Sequence, residues 1–563
     1  MAEKTRSPAT VATDRGALPT TRWSVMPRNL TTVWRLAAHL AAWIPFAIGA
    51  IRSVQQDSPV IADGAAIALR SWDVLTPYGP LVGQATQLRN GAFDPGPLQY
   101  WLLAVPVHID PQAGVVWGAA LWCMVAASVA IEAARSAFGP FGGLAASGIT
   151  IGIVVWQPLV AAQPYWNPWL GVIFFLATLA AGLAVVSGRR GWWPVLVVTA
   201  SVAAQAHLMF ALASAALVLV ALVAGLADTI RARAGYWWAV LGLMAGAACW
   251  IAPFIQQFTS RQGNLGLLFA GLGVRQSAGP AFGLKALAAS AVPPTAWWQP
   301  SLSFRYEGIA SVIGGRTPAA GVAVLALTAI VLAVAVRPLR SRRLAALAVV
   351  SLLTSGAVLA TYSNIPAHNI GNLHQNYLLI VLFPVGVLAW LAMGAAAVLA
   401  ARRAIGRVRV PAAARQRPHG PLGTAGGSAA RGGARVIGLA AVALLGLGSW
   451  LAVAQQAQAS ADATPAWELS ATRFAAQHIE RMLPRQRLEL SVVQDGRDKR
   501  DVTLGVAWAL HADGYEPAVT HRAARYLGSR YLFTGRPMPH VTVVLRHRGV
   551  VVRLTQAGVA GPP

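Results

Sequence analysis

Long apolar runs separated by short basic connectors fill most of the chain. They cover residues 34–50, 113–134, 139–156, 169–186, 195–206, 208–226, 237–254, 319–336, 344–362, 377–400 and 436–453, eleven runs in all. Most approach the ~20 residues that a helix needs to cross the hydrocarbon of a bilayer. The pattern predicts an α-helical polytopic membrane protein with about 11 transmembrane helices. The weakest place is the pair at 195–206 and 208–226, which must turn around Gln205-Ala206-His207 with short arms. Short helices are tolerated where they line a cavity, and a single tilted span there would reverse everything downstream. No internal repeat is visible.

After Gln455 the pattern becomes that of a water-soluble domain. It predicts an amphipathic helix over 467–482 entered through Thr464-Pro465, a strand at 488–493 and a helix near 502–511 stopped by Asp513-Gly514. Strands follow at 541–545 and 550–554. About 100 residues of this kind suit a small α/β domain. The organisation expected is a tail at 1–33, a membrane domain at 34–455 with large loops at 53–107 and 256–317, and a C-terminal domain at 456–563 joined through the polar stretch Gln455-Gln456-Ala457-Gln458-Ala459-Ser460.

Composition agrees, since 56% of the 563 residues are hydrophobic and only 11% charged, too apolar for an ordinary soluble chain. The net charge of +26 would suggest nucleic acid in a soluble protein, but here the basic residues sit between apolar runs, where orientation in a bilayer explains them. Arg135, Arg189, Arg190, Arg231, Arg233, Arg337, Arg340, Arg342 and Arg343 all follow even-numbered runs, as does the loop at 401–435 with eight Arg and no acid. These connectors are expected in the cytoplasm, together with the N-terminal tail and its Lys4, Arg6, Arg15, Arg22 and Arg28, ahead of an uncleaved first span. The loops at 53–107 and 256–317 and the C-terminal domain then face outward. Cys123 and Cys249 lie in apolar runs and read as small buried hydrophobes. No disulfide framework, zinc ribbon or haem site is present; no cofactor is expected, and a divalent metal is left open.

Ten acids precede Gln455, and five of them (Asp57, Asp63, Asp73, Asp94, Asp110) lie between the first two runs. Glu132 and Asp228 stand beside Arg at helix ends and read as headgroup-zone charges. Asp63 sits in Pro-Val-Ile-Ala-Asp-Gly-Ala-Ala-Ile-Ala-Leu, an apolar setting that would hold a carboxylate close to the membrane surface, and a partly buried carboxylate suits a general base. The same loop continues through Arg70-Ser71-Trp72-Asp73-Val74 and Thr76-Pro77-Tyr78-Gly79-Pro80-Leu81-Val82-Gly83 to Asp94-Pro95-Gly96-Pro97-Leu98-Gln99-Tyr100-Trp101.

Over these roughly 50 residues the chain resembles the GT-C class of integral-membrane glycosyltransferases, and among them uncharacterised actinobacterial members. The resemblance implies a GT-C-like helical fold and transfer of a sugar from a polyprenyl-phosphate donor on the outer face. In that class the first outer loop carries an essential Asp or Glu, and a His-Pro-Pro-Leu or His-Pro-Gly-Pro-Leu motif with following aromatics leads into the second span. Asp63 matches the essential acid, Asp94 stands where the His is usual, Ala62 where a Gly is common, and Trp72 where an Arg precedes Asp73. The chemistry needs a base for the acceptor hydroxyl and fixed donors for the departing phosphate. Asp63 is the expected catalytic base, with Arg70, Asp73 and Asp94 shaping its cavity and Gln99 within the motif. Candidates for the phosphate side are His207, Arg261, Arg275, Lys285, Arg305, Arg316, His368 and His374, of which His207 and the aromatic-flanked Arg305 stand out. Tyr165 and Asn167, in Gln163-Pro164-Tyr165-Trp166-Asn167-Pro168-Trp169, offer a sugar-stacking ring and an amide.

The expected partners are a polyprenyl-phosphate-linked sugar, a cell-envelope acceptor and the lipid bilayer, with no nucleic acid. The C-terminal domain, without a triad, metal cluster or phosphate loop, is expected to bind or orient the acceptor. The competing reading is a polytopic transporter or a non-catalytic envelope-assembly protein. A transporter would be expected to show repeated halves and intramembrane charges, and the sequence has neither.

Overall fold

The computed structural model describes residues 28–56, 59–86, 88, 90–232, 235–271, 277–291, 309–370, 373–408, 425–463, 465–494, 496–519, 521–532, 538–546 and 549–555. The chain enters through α1 (Arg28–Gln55), and the segment after it carries α2 (Ala62–Asp73) and α3 (Leu98–Ile109). Then come α4 (Gly114–Phe138), α5 (Pro140–Trp156), the single turn α6 (Leu159–Ala162), α7 (Asn167–Val186), α8 (Trp193–Ala206), α9 (Ala211–Ala232) and α10 (Tyr236–Thr259). A second segment holds α11 (Asn264–Gly271), α12 (Pro280–Ser290) and α13 (Ile309–Gly314). The remaining helices before the C-terminal domain are α14 (Pro318–Val336), α15 (Arg342–Ser363), α16 (Ala367–Ile370), α17 (Leu382–Val408) and α18 (Ala425–Ala463).

Each of the eleven apolar runs falls in a helix of its own. Among the described residues nine helical stretches are long and apolar enough to cross a membrane, while α5 and α8 are shorter, with 17 and 14 residues. The expected pair is present. The chain turns extended at His207 (φ −157°, ψ 136°), and α8 and α9 pack on each other on either side of it. At the centre stands α7, apolar all round and buried along nearly its whole length among α4, α8 and α9. Leu219, Val223, Trp237, Met244, Ile330 and Trp450, on the outer helices, are exposed, the side-chain chemistry that a bilayer covers.

Helix α7 also defines two ends of the bundle. Near Val186 the basic connectors converge: Arg342 donates to the Val186 carbonyl (3.2 Å), Arg189 to that of Ser136 (3.0 Å) and Arg403 to that of Leu339 (2.7 Å). Glu132 pairs there with Arg35 and Arg135, both at 2.6 Å. The parity of the arginines along the sequence is thus a physical clustering. At the other end, beside Asn167, lie the ends of α1, α8 and α15 and the segment holding α2 and α3.

Over this second end sits the C-terminal domain. It contains α19 (Ala466–Met482), β1 (Arg487–Gln494), β2 (Arg497–Asp498), α20 (Arg500–Ala512), β3 (Glu516–Val519), α21 (His521–Leu527), β4 (His540–Arg546) and β5 (Gly549–Thr555). The sheet runs β2-β1-β4-β5, and β3 shares with β2 the outer edge of β1. β1 is parallel to β3 and β4, whereas β2 and β5 are antiparallel to their neighbours. Leu488, Leu490 and Val492 alternate inward from β1, and Gly514, at φ +90°, allows the left-handed exit from α20. Two differences from the expected organisation stand out. β3 and α21 escape the pattern because Glu516-Pro517-Ala518-Val519 is short and contains a Pro. The polar stretch after Gln455 is helix, with α18 running on to Ala463, anchored by the buried Gln456, which donates to the Pro45 carbonyl (2.9 Å).

The domain docks on α2. Asp73 has no exposed side-chain surface and accepts from Arg530 (2.9 Å), Arg70 (3.2 Å) and the Tyr531 hydroxyl (3.3 Å), while Arg70 also donates to the Leu527 carbonyl (2.9 Å). Burial pushes the Asp73 pKa upward in spite of the two guanidiniums. Beside this cluster Trp72 stacks on His108 (4.3 Å between centroids) and meets His511 edge-on (5.4 Å). Burial, with Arg530 adding to it, pulls the His511 pKa down to about 4. Such a group binds fewer protons folded than unfolded, so the stability it leaves intact above about pH 6.5 is eroded as pH falls toward about 4. The expected outcome is a His511-dependent drop in the melting temperature of the docked domain between about pH 6.5 and pH 4.5. Differential scanning fluorimetry of His511→Phe should show a flatter profile over that window, and an unchanged profile would contradict the assignment.

Candidate active site

A cavity of about 1740 Å³ opens where the segment after α1, the ends of the bundle helices and the C-terminal domain meet. Its mouth is polar, with Asp63, Gln84, Asp94, Asn167, His207, Arg500 and Asp501 on the wall. From the mouth an apolar arm follows α8 from Ala204 to Trp193, with Leu212, Val218 and Leu222 of α9 and Trp250 and Phe254 of α10. At 1.5 Å per helical residue this arm is about 16 Å long. Gly242 and Gly246 of α10 let the two helices close up, since a Cβ on Gly242 would lie 2.0 Å from the Trp193 ring nitrogen and one on Gly246 3.2 Å from Val197.

Asp63 lies in the first turn of α2, where the free N–H groups of the helix favour a negative charge. Its side chain keeps 31% of its surface exposed toward the cavity. One oxygen accepts from the Trp166 indole N–H (3.1 Å), and the other lies 3.8 Å from Arg500 Nη2. Trp166 is held edge-on against Trp169 (5.0 Å) and Tyr377 (5.1 Å). Ala62, just before the carboxylate, has φ +53°, a left-handed conformation that costs a side-chain-bearing residue of order 1 kcal/mol. This is the position where the GT-C resemblance has Gly. Gly64 follows, and the Tyr165 ring lies where its Cβ would be, at 2.5 Å.

Asp94 is the desolvated carboxyl of the site, 3% exposed. It accepts from Asn167 Nδ2 and from the Leu208 backbone N–H, both at 3.2 Å, and the same amide of Asn167 donates to the Ala206 carbonyl (3.0 Å). Burial with no cation beside it pushes its pKa well above the usual carboxylate range. The Pro-Gly-Pro-Leu motif is fitted against Gln205, whose side-chain oxygen accepts from Leu98 N–H (3.3 Å) and would lie 2.1 Å from a Cβ on Gly96. His207 accepts from Met209 N–H through Nδ1 (3.2 Å) and faces the Tyr377 ring (5.3 Å). A neutral imidazole that accepts at Nδ1 carries its proton on Nε2.

The residues singled out from the sequence therefore divide. Asp63, Asp94, Tyr165, Asn167 and His207 line one cavity. Gln99 stands behind it, donating to the Tyr165 carbonyl (2.6 Å). Arg70 and Asp73 are not in the cavity wall and are used in the junction with the C-terminal domain. Arg305 and Arg275 lie outside the described residues, as do the side chains of His374 and His368. Sequence reasoning missed Arg500, Asp501 and Tyr526, which the C-terminal domain brings to the cavity wall. Their one local signal is the charged run Arg497-Asp498-Lys499-Arg500-Asp501 at the start of α20. Among the described residues no group of three or more His, Cys, Asp or Glu side chains gathers as a metal cage.

No family model matches the chain, and no curated protein matches it. Among solved structures it is similar to ArnT from Cupriavidus metallidurans bound to undecaprenyl phosphate, with 16% identity over 95% of this chain and 100% of that chain and a TM-score of 0.46.

Two neighbouring substitutions test the backbone geometry at Asp63. Ala62→Gly should raise stability by up to about 1 kcal/mol by removing the left-handed strain. Gly64→Ala should cost about 1–3 kcal/mol as its methyl displaces Tyr165. Thermal melts of the two purified variants should move in opposite directions.

Proposed function

We propose that the chain is an inverting glycosyltransferase of the GT-C class that moves a sugar from a polyprenyl-phosphate donor to a cell-envelope glycan, lipid or protein acceptor on the outer face of the membrane. The observation that carries this reading is the union of two features in one cavity: a carboxylate, Asp63, at a polar mouth, and a long apolar arm between α8, α9 and α10. A donor that is half sugar phosphate and half hydrocarbon matches such a cavity in both its parts. The resemblance of the Asp63–Trp101 segment to the GT-C pattern supports the same reading independently.

In the proposed reaction Asp63 takes the proton of the acceptor hydroxyl as that oxygen attacks the anomeric carbon. The bond from that carbon to the phosphate oxygen breaks on the opposite side, its electron pair leaves with the lipid phosphate, and configuration inverts. Trp166 positions Asp63 through its indole N–H. The Asp94 carboxyl, its pKa raised by burial, and the Asn167 amide supply hydrogen-bonding groups suited to sugar hydroxyls. Tyr165 offers a ring face beside them. The outward placement rests on the clustering of Arg135, Arg189, Arg342 and Arg403 at the end of the bundle remote from the mouth, because cytoplasmic ends carry the basic residues. The C-terminal domain, above the mouth, is suited to guide the acceptor.

Asp63→Asn should abolish transfer, a loss of at least about a hundredfold, while the protein still folds and binds donor. Asp94→Asn should retain measurable transfer. The assay is release of sugar from a panel of polyprenyl-phosphate sugars by purified protein. Near-wild-type turnover in Asp63→Asn would remove that residue from the mechanism.

A further inference from the structure

A departing lipid phosphate needs positive charge close by, and most of the connector cations expected to provide it stand elsewhere. Arg261 and Arg316 are exposed outside the cavity wall, and Lys285 donates to the Gly314 carbonyl at 3.4 Å. Among the described residues that line the cavity, Arg500 is the sole Arg or Lys. It comes from the C-terminal domain, at the first turn of α20. Asp501 Oδ1 accepts from its Nε (2.8 Å) and Nη2 (2.7 Å), and the guanidinium lies over the Tyr526 ring, 4.8 Å from the centroid. These contacts fix the fork at the mouth of the cavity. The approach to Asp63 is of another kind, since 3.8 Å is within reach of charge attraction but too long for a hydrogen bond. Asp63 thus holds Arg500 by Coulomb attraction without a hydrogen bond, and an anion that closes to hydrogen-bond distance can take its place.

We propose that Arg500 is the phosphate-binding cation of the active site and that it couples donor binding to the release of the base. The proposal rests on the glycosyltransferase reading and deepens it. Without donor, Arg500 faces Asp63 across 3.8 Å. The donor's phosphodiester carries one negative charge, as a carboxylate does, but its two free oxygens can close to hydrogen-bond distance of the guanidinium fork, and its charge rises as it leaves as a monoester. It draws Arg500 to itself and leaves Asp63 to the acceptor hydroxyl. When the bond between sugar and phosphate breaks, the electron pair settles on the phosphate oxygen beside Arg500, and the acceptor proton goes to Asp63. Deprotonation of the acceptor then waits on occupation of the donor site, and the C-terminal domain supplies part of the chemistry as well as covering the mouth.

The test uses the full-length protein in lipid nanodiscs with two probes, a long-chain polyprenyl monophosphate and the uncharged polyprenol of the same length. Wild type should bind the monophosphate more tightly. Arg500→Gln should lose about tenfold in affinity for the monophosphate and nothing for the polyprenol, with Arg500→Lys in between. Asp63→Asn, which removes the competing carboxylate, should bind the monophosphate several-fold more tightly, and that gain should shrink when it is combined with Arg500→Lys, a dependence that mere relief of charge repulsion would not produce. Unchanged monophosphate affinity in Arg500→Gln, or no gain in Asp63→Asn, overturns the proposal, and the second result decides the matter if Arg500→Gln does not fold. Equal affinity of the wild type for the two probes would instead overturn the donor reading itself.

Discussion

The site depends on one buried carboxylate that stands outside the cavity wall. Asp73 is fully enclosed between Arg70 of its own helix and Arg530 and Tyr531 of the C-terminal domain. An ion cluster of this kind contributes little net stability compared with an apolar contact of the same size, but losing one member costs about 3–5 kcal/mol because a charge is left buried without its partner. Its effect is to fix position. Asp73 ends α2 and Asp63 lies in its first turn, so the 12-residue helix transmits the docked position of the domain to the carboxylate at the cavity mouth. Gly505 completes the fit, since a Cβ there would lie 2.7 Å from Ile61. Arg500 reaches Asp63 only because the domain is held in this register.

The same dependence explains what was legible in the sequence. Membrane helices announce themselves by composition over about 20 residues, so the eleven runs, including the short pair around His207, are visible without tertiary information. The acids of the first segment are equally visible, because carboxylates are rare in the membrane part, and five of the predicted site residues do line one cavity. Arg70 and Asp73 share the local appearance of a site, being charged residues in an apolar setting, yet they stand in the last turn of α2, away from Asp63 in its first, and are used in the junction with the C-terminal domain. Nothing in a linear pattern tells a carboxylate that meets substrate from one that meets the chain's own arginine.

Arg500 was illegible for the converse reason. Its meaning comes from a residue more than four hundred positions away in the chain, and at its own position it is one more basic residue in a mixed, soluble surface. β3 and the onward run of α18 were hidden by a Pro and by polar composition, each overridden by packing: β3 finds the edge of β1, and Gln456 finds the Pro45 carbonyl. Asp94, visible as a departure from the GT-C pattern, became interpretable only when its neutral partners, the Asn167 amide and the Leu208 N–H, were in place.

The apolar arm has one more implication. Trp193, pressed against Gly242, stands at its far end, so the slot works as a gauge of fixed depth. On the function proposed above, a polyprenyl chain longer than that depth would meet protein only through the units nearest the phosphate, and the remainder would pass into the surrounding lipid. Selection would then act on the geometry of the first few double bonds and be blind to the total number of units, so lipids that differ only in the length of their tails would be used interchangeably.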